Sequence, residues 1–212
     1  MPTISVDQAL IGRLMAKHGY QHDTEYLADN LPLLGTDIDK CDAETLDIEI
    51  FPNRPDLLSG ETLSRAIRNF IHHAPATPNL DVKKGELELI VDSELKQIRP
   101  VILGAVVRGV NSGSSKMESD AFIKSLMDHQ EKLHFALGRG RKRASIGVHD
   151  LAKIKPPFLV KAVTSDTHFT PLSMNDEMSI KQILLEHPKG IDYAHLLDGF
   201  EKYPVIVDAE SR

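Results

Sequence analysis

At 212 residues, with 41% hydrophobic and 26% charged side chains, the chain has room for one large domain or two small ones and the composition of an ordinary soluble globular protein. Its formal net charge of −6 excludes indiscriminate coating of nucleic acid, and the absence of Trp argues against a base-stacking platform, so any RNA contact is expected to be local. No run reaches the roughly eighteen apolar residues of a membrane span, the start MPTISV lacks a signal-peptide pattern, and the single Cys41 forbids an intramolecular disulfide, which together predict a cytoplasmic chain with no membrane partner.

Thr3 to Val6 alternates polar and apolar side chains, with Ile4 and Val6 on one side, and predicts a short strand. Asp7 is placed to cap a helix in which Leu10, Ile11, Leu14 and Met15 share a face and Gly19 is the stop. Thr24 is expected to cap a second helix running toward Asn30. LDIEIF sets Leu46, Ile48 and Ile50 against Asp47 and Glu49, the period of a half-exposed strand. Pro52 and Pro55 then bracket Asn53 and Arg54 and forbid a regular element across them. A helix follows from about Ser59 to about His72, burying Leu63, Ala66, Ile67, Phe70 and Ile71. The stretch HAPATPN, residues 73 to 79, has two prolines and no apolar period, and divides the chain into units 1–79 and 80–212.

The second unit opens with two β-rich runs, ELELIV and PVILGAVVRGV. After a Ser/Gly-rich loop, a helix is expected from about Asp120 to about Leu137, ended by Gly138 and Gly140. ASIGVHDL reads as a strand, KIKPPFLVKAV as a Pro-Pro turn and a strand, Ser179–His187 and Ile191–Gly199 as short helices, and YPVIVD as a last strand. Strands and helices mix irregularly rather than in βαβ order, so the expected fold class is α+β, in two small mixed units.

FALGRGRKRASIGVHDL, residues 135 to 151, gathers Arg139, Arg141, Lys142 and Arg143 beside His149 and Asp150. Cations after a helix C-terminus are favoured by the macrodipole whatever their function. Interleaved glycines and guanidinium groups also suit close approach to phosphate oxygens, so solvation and RNA contact both stand as readings. His149, expected at a strand end, is either a structural residue or a proton-transferring group. Asp150 either caps the following turn or orients the ring, and neighbours on a strand point to opposite faces. His129 and His134 are off the one-turn spacing that lets two imidazoles share a metal, so no metal site is expected. Asn53, Arg54 and Asp56 are explained by a locally hydrogen-bonded turn. There is neither a G-x-x-x-x-G-K loop nor a G-x-S-x-G elbow.

Taken in order, MPTISV, PNRPDLLSGETLSRAI, IRPVILGAVVRGV, DHQEKLHFALGRGRKRASIGVHDLAKIKPPF and KYPVIVDAE resemble the beta subunit of phenylalanyl-tRNA synthetase of the archaeal and eukaryotic type, across essentially the whole chain. The resemblance implies a heterotetramer of two alpha and two beta subunits, in which the alpha subunit uses ATP and Mg²⁺ to activate phenylalanine and charge its tRNA. No cofactor is implied for this segment. It also implies an N-terminal α/β domain over 1–79 and, over 80–212, the first part of an editing domain that hydrolyses tyrosyl-tRNA(Phe). Editing answers a limit of binding, because an apolar pocket rejects poorly an isostere that adds one hydroxyl.

Residue by residue, His149 looks like the family's imidazole beside the terminal adenosine, positioning the ribose or the attacking water, or serving as general base. Arg139, Arg141, Lys142 and Arg143 would hold the tRNA backbone, and Gln130, Lys132, His134 and Asp150 would line the cleft or serve structure. Family members continue further, so the tyrosine pocket is expected to be completed by segments beyond these. The alternative expectation is a non-catalytic RNA- or protein-binding module of the same fold.

Overall fold

The computed structural model describes residues 2–21, 23–75 and 82–211. They group into two compact units, Met1–Leu80 with Asn111–Ile146, and Asp81–Val110 with Gly147–Arg212. The fold class is α+β, as the mixed element order implies. The division expected near residue 79 falls on residues 76–81, outside the described residues, and Asn111–Ile146 groups with the first unit.

In the first unit, β1 (Thr3–Asp7), β2 (Thr36–Cys41) and β3 (Thr45–Ile50) form an antiparallel sheet with β3 in the centre. The alternation of LDIEI turns Leu46, Ile48 and Ile50 inward to 0% exposure, with Leu46 and Ile48 opposite Val6 and Ile4 of β1. The sequence of β2 offers only Ile38 and Cys41 as apolar residues, so its local pattern is weak. Pairing with β3 makes it a strand, with an irregularity between Ile38 and Lys40.

Helix α1 (Gln8–Ala16) starts on the Asp7 carboxylate, which accepts the Ala9 N–H at 2.7 Å, and buries Ile11 and Met15. Helix α2 (Thr24–Asn30) is capped by Asp23, whose Oδ1 accepts the Tyr26 N–H at 3.1 Å. This corrects the expectation for Thr24, which is the first helical residue. Helix α3 (Gly60–Ala66) opens on a capping box between Ser59 and Thr62 and then widens into a π-helical turn, Ile67–Ile71. The wider turn rotates the face, so Leu63, Ile67 and Ile71 are buried while Phe70 is 52% exposed, against the expectation of burial.

Helix α4 (Lys116–Ala136) begins a turn earlier than its apolar period suggests, because Ser115 and Glu118 form a capping box. Leu133 and Ala136 pack on the core. Lys132 Nζ donates to the Thr3 carbonyl at 2.7 Å, and Ser125 Oγ to Glu61 at 2.7 Å.

In the second unit, β4 (Leu89–Val91) runs parallel to β5 (Phe158–Val163). A short antiparallel pair of two-residue strands, β6 (His168–Phe169) and β7 (Met178–Ser179), leads into α5 (Ile180–Glu186) and α6 (Pro188–Tyr193), and β8 (Tyr203–Val207) returns antiparallel to β5. Asp208, 3% exposed, accepts the Lys155 and Glu210 N–H groups at 3.0 and 2.9 Å.

Two expected strands are absent. PVILGAVVRGV and ASIGVHDL form no ladder, and Val101, Leu103 and Val107 are strongly exposed. β-propensity alone does not satisfy backbone N–H and C=O groups. A strand needs a neighbour, and neither run finds one among the described residues. His149 therefore sits in irregular chain rather than at a strand end. No helix among the described residues is long and apolar enough to cross a membrane.

Candidate nucleic-acid interface

The basic turn grows directly out of the end of α4. The Gly138 N–H donates to the Leu133 carbonyl at 2.9 Å and the Arg143 N–H to the Gly138 carbonyl at 2.8 Å, folding the chain back on the helix. Gly138 is required there, because a Cβ would stand 2.5 Å from the Ala144 carbonyl oxygen and 2.7 Å from that of His134. Arg139, Gly140 and Arg141 follow with φ of 50°, 61° and 66°, successive left-handed residues. For a residue with a Cβ this conformation costs roughly 1–2 kcal/mol, so the two arginines persist in it only because neighbouring bonds impose it.

Those bonds converge on His134, which is 3% exposed. Its carbonyl accepts the Gly140 N–H at 2.9 Å and the Arg141 N–H at 3.3 Å. Its ring Nε2 accepts the Ile146 N–H at 2.7 Å. The other ring nitrogen, Nδ1, lies 3.4 Å from a Glu131 carboxylate oxygen without a hydrogen bond to it. The same carboxylate takes Arg141 Nη2 at 2.5 Å.

The cluster therefore does not act as one charge. Arg141 is largely buried and shares its charge with Glu131. Arg139, Lys142 and Arg143 are exposed, and among the described residues their side chains have no acidic partner. A turn carrying free cations on a fixed backbone can meet successive phosphate oxygens, which positions a nucleic acid without reading its sequence. The pairing partner Glu131 escaped sequence reasoning; its only signal was its place one turn before His134.

His149 belongs to the second unit. It is exposed, its ring makes no hydrogen bond among the described residues, and its Nε2 lies 3.2 Å from where a Cβ on Gly147 would stand. Asp150 does not orient it. Its Oδ1 accepts the Ala152 N–H at 3.0 Å, capping a short 3₁₀ turn, Leu151–Lys153, and its other oxygen lies 3.7 Å from Lys153 Nζ. On α4, Gln130 is half-buried, and neither its Oε1 nor His129 Nδ1 has a hydrogen-bond partner among the described residues.

Arg54 donates through Nε and Nη2 to both Asp56 oxygens, at 3.0 and 2.8 Å, and through Nη1 to the Leu34 carbonyl. The Arg54 guanidinium holds the Asp56 carboxyl below the usual carboxylate range. The PNRPD turn is thus a hydrogen-bonded corner. A groove beside it, lined by Leu33, Arg65, Asn69 and Phe70, was not legible in the sequence because its walls come from separate elements.

No family model matches the chain. It is 43% identical over 190 residues to the phenylalanine–tRNA ligase beta subunit of Methanococcoides burtonii, covering 90% of this chain and 34% of that protein. Against the Methanocorpusculum labreanum beta subunit it is 39% identical over 212 residues, covering 100% of this chain and 37% of that protein. The chain thus spans about a third of the length of these curated relatives. Among solved structures, an N-terminal fragment of the phenylalanyl-tRNA synthetase beta subunit from Pyrococcus horikoshii superposes with a TM-score of 0.79 at 28% identity, covering 100% of this chain and 60% of that one.

Proposed function

Because this chain is homologous over nearly its whole length to a region of phenylalanine–tRNA ligase beta subunits, we propose that it is the N-terminal region of such a subunit and serves aminoacylation of phenylalanine tRNA through editing and RNA contact. The complete enzyme would be an aminoacyl-tRNA synthetase of the cytoplasm, its partners the tRNA and the alpha subunit in a heterotetramer. Residues 80–212 would supply the first part of the editing domain. ATP and Mg²⁺ would act in the activation step. Among the described residues no group of three or more His, Cys, Asp or Glu side chains is placed to hold a metal.

The observation that carries the RNA reading is the exposed trio Arg139, Lys142 and Arg143, without acidic partners among the described residues, on a turn fixed by its own helix. Its expected target is the sugar-phosphate backbone of the tRNA. In editing, water attacks the ester carbonyl of tyrosyl-tRNA(Phe), releasing tyrosine and the ribose hydroxyl. With Asp150 committed to its cap, His149 has an imidazole free to hydrogen-bond the ribose or that water, which favours positioning over general-base catalysis. The same lack of an orienting partner favours the second reading, a module that binds RNA without hydrolysing it.

Replacing Arg139 and Arg143 together by Ala should weaken tRNA binding and flatten the dependence of log affinity on log salt by about 0.7–0.9 per lost phosphate contact. An unchanged slope removes the phosphate role. In the complete alpha–beta assembly, His149→Ala should slow deacylation of tyrosyl-tRNA(Phe) by at least about tenfold while charging with phenylalanine stays level. Unaltered deacylation would select the binding module.

A further inference from the structure

The geometry points to His134 as a positioning residue: a buried, neutral imidazole whose ring nitrogen and backbone carbonyl together hold the basic turn in its left-handed form and so present Arg139, Lys142 and Arg143. Backbone N–H groups from both limbs of the turn end on this one residue. Gly140 and Arg141 donate to its carbonyl, and Ile146, on the returning limb, donates to Nε2 at 2.7 Å. A backbone N–H has only a proton to offer, so Nε2 must present a lone pair and the ring proton must sit on Nδ1. That nitrogen faces the Glu131 carboxylate at 3.4 Å, on the side where Glu131 also grips Arg141.

The arrangement explains an otherwise awkward site. A histidine 97% removed from solvent, at the end of an amphipathic helix, would be better replaced by an apolar residue if its task were packing alone. Here the ring takes the Ile146 amide at 2.7 Å, its one hydrogen-bond acceptor among the described residues, and closes a loop whose two arginines lie at φ of 50° and 66°. Without the acceptor, that amide would lose its protein partner and the strained residues one of the bonds that over-determine the turn. His134 thereby becomes a support for the presenting turn rather than a lining residue of the cleft. That it serves RNA contact rests on the phosphate reading of the turn given above.

The test begins with the unmutated chain. Nitrogen-15 chemical shifts of labelled histidine at neutral pH should show His134 protonated on Nδ1 alone; an Nε2–H tautomer or an imidazolium overturns the proposal. In His134→Leu, which keeps the apolar volume, amide exchange at Ile146 and across the turn should accelerate at least about fivefold relative to β3, and His134→Gln, whose Oε1 reaches the place of Nε2, should restore it to within about twofold. Equal acceleration in β3 and in the turn, or no rescue by Gln, overturns the positioning role. Should the Leu variant fail to fold, the tautomer and the Gln variant decide.

Affinity for a tRNA(Phe) transcript at low salt should follow the turn, falling with Leu and returning with Gln. If the Arg139/Arg143 double variant loses affinity while His134→Leu keeps it with a loosened turn, the presenting role is wrong. If neither loses affinity, the phosphate reading itself is wrong.

Discussion

The two units spend similar apolar sequences differently. In the first, Leu46, Ile48 and Ile50 alternate on a strand flanked on both sides and join a core that includes Ile11, Met15, Leu63 and Ile67, all at 0 or 1% exposure. In the second, Val101, Leu103, Val106, Val107 and Val110 belong to a run as apolar and β-branched, yet every one of them is exposed, and the buried apolar residues among those described are Leu95, Val160, Met178 and Ile180. Alternation proposes a strand, but neighbouring strands and covering helices make one. The sharpest way to break this comparison is a pair of truncations. Ile48→Ala should cost about 2–5 kcal/mol in urea unfolding of the first unit. Leu103→Ala should stay within about 0.5 kcal/mol. A large loss at Leu103 would mean that the run is packed after all.

The basic turn offers a finer contrast between two glycines. At Gly138 a methyl group would collide with two backbone carbonyl oxygens, neither of which can swing aside as a side-chain end could. At Gly140 the space is open and the obstacle is only φ of +61°. Gly138→Ala should therefore open the turn and cost about 1–3 kcal/mol. Gly140→Ala should keep the turn closed and cost about 1 kcal/mol. Amide exchange at Arg143 and Ile146 separates the two, and equal exchange in both variants would show that sterics at Gly138 do not shape the turn.

What sequence reasoning reached and missed follows the same physics. β1, α1, β3, α5 and β8 were legible because each combines its own periodicity with an end signal or a partner close at hand. Strand β2 was not, since its pattern is poor and β3 supplies its order. The exposure of Phe70 was hidden by a π turn that no periodicity announces. At the candidate site, the four cations and His149 could be counted, but not that Glu131 takes up Arg141 across ten residues, nor that Asp150 is a cap. Both facts depend on backbone turns, one left-handed through Arg139–Arg141 and one 3₁₀ after Asp150, which set partners that spacing cannot.

The smallest expected effects separate the units by pH. Asp56 in the first unit is held below its ordinary value of about 4 by the hydrogen-bonded Arg54 guanidinium. A carboxyl depressed on folding contributes stability that is present above its unfolded value and lost as pH falls through the folded one. In the second unit the sign reverses. The Glu94 carboxylate raises Lys202, so that pair contributes below the lysine's unfolded value and fades as pH rises through the folded one. Asp56 and the Lys202–Glu94 pair are solvent-exposed while Arg54 is half-buried, and screening keeps the Arg54–Asp56 contribution under about 1 kcal/mol. Asp56→Asn should accordingly flatten part of the acid limb of unfolding, read at β3 amides, without touching β5. Lys202→Met should flatten part of the alkaline limb, read at β5, without touching β3. Because each pair lies inside its own unit, a shift that appears at β3 and β5 together would show that the two units unfold as one cooperative body, and the contrast between a filled core and an exposed run would then describe a single folding unit rather than two.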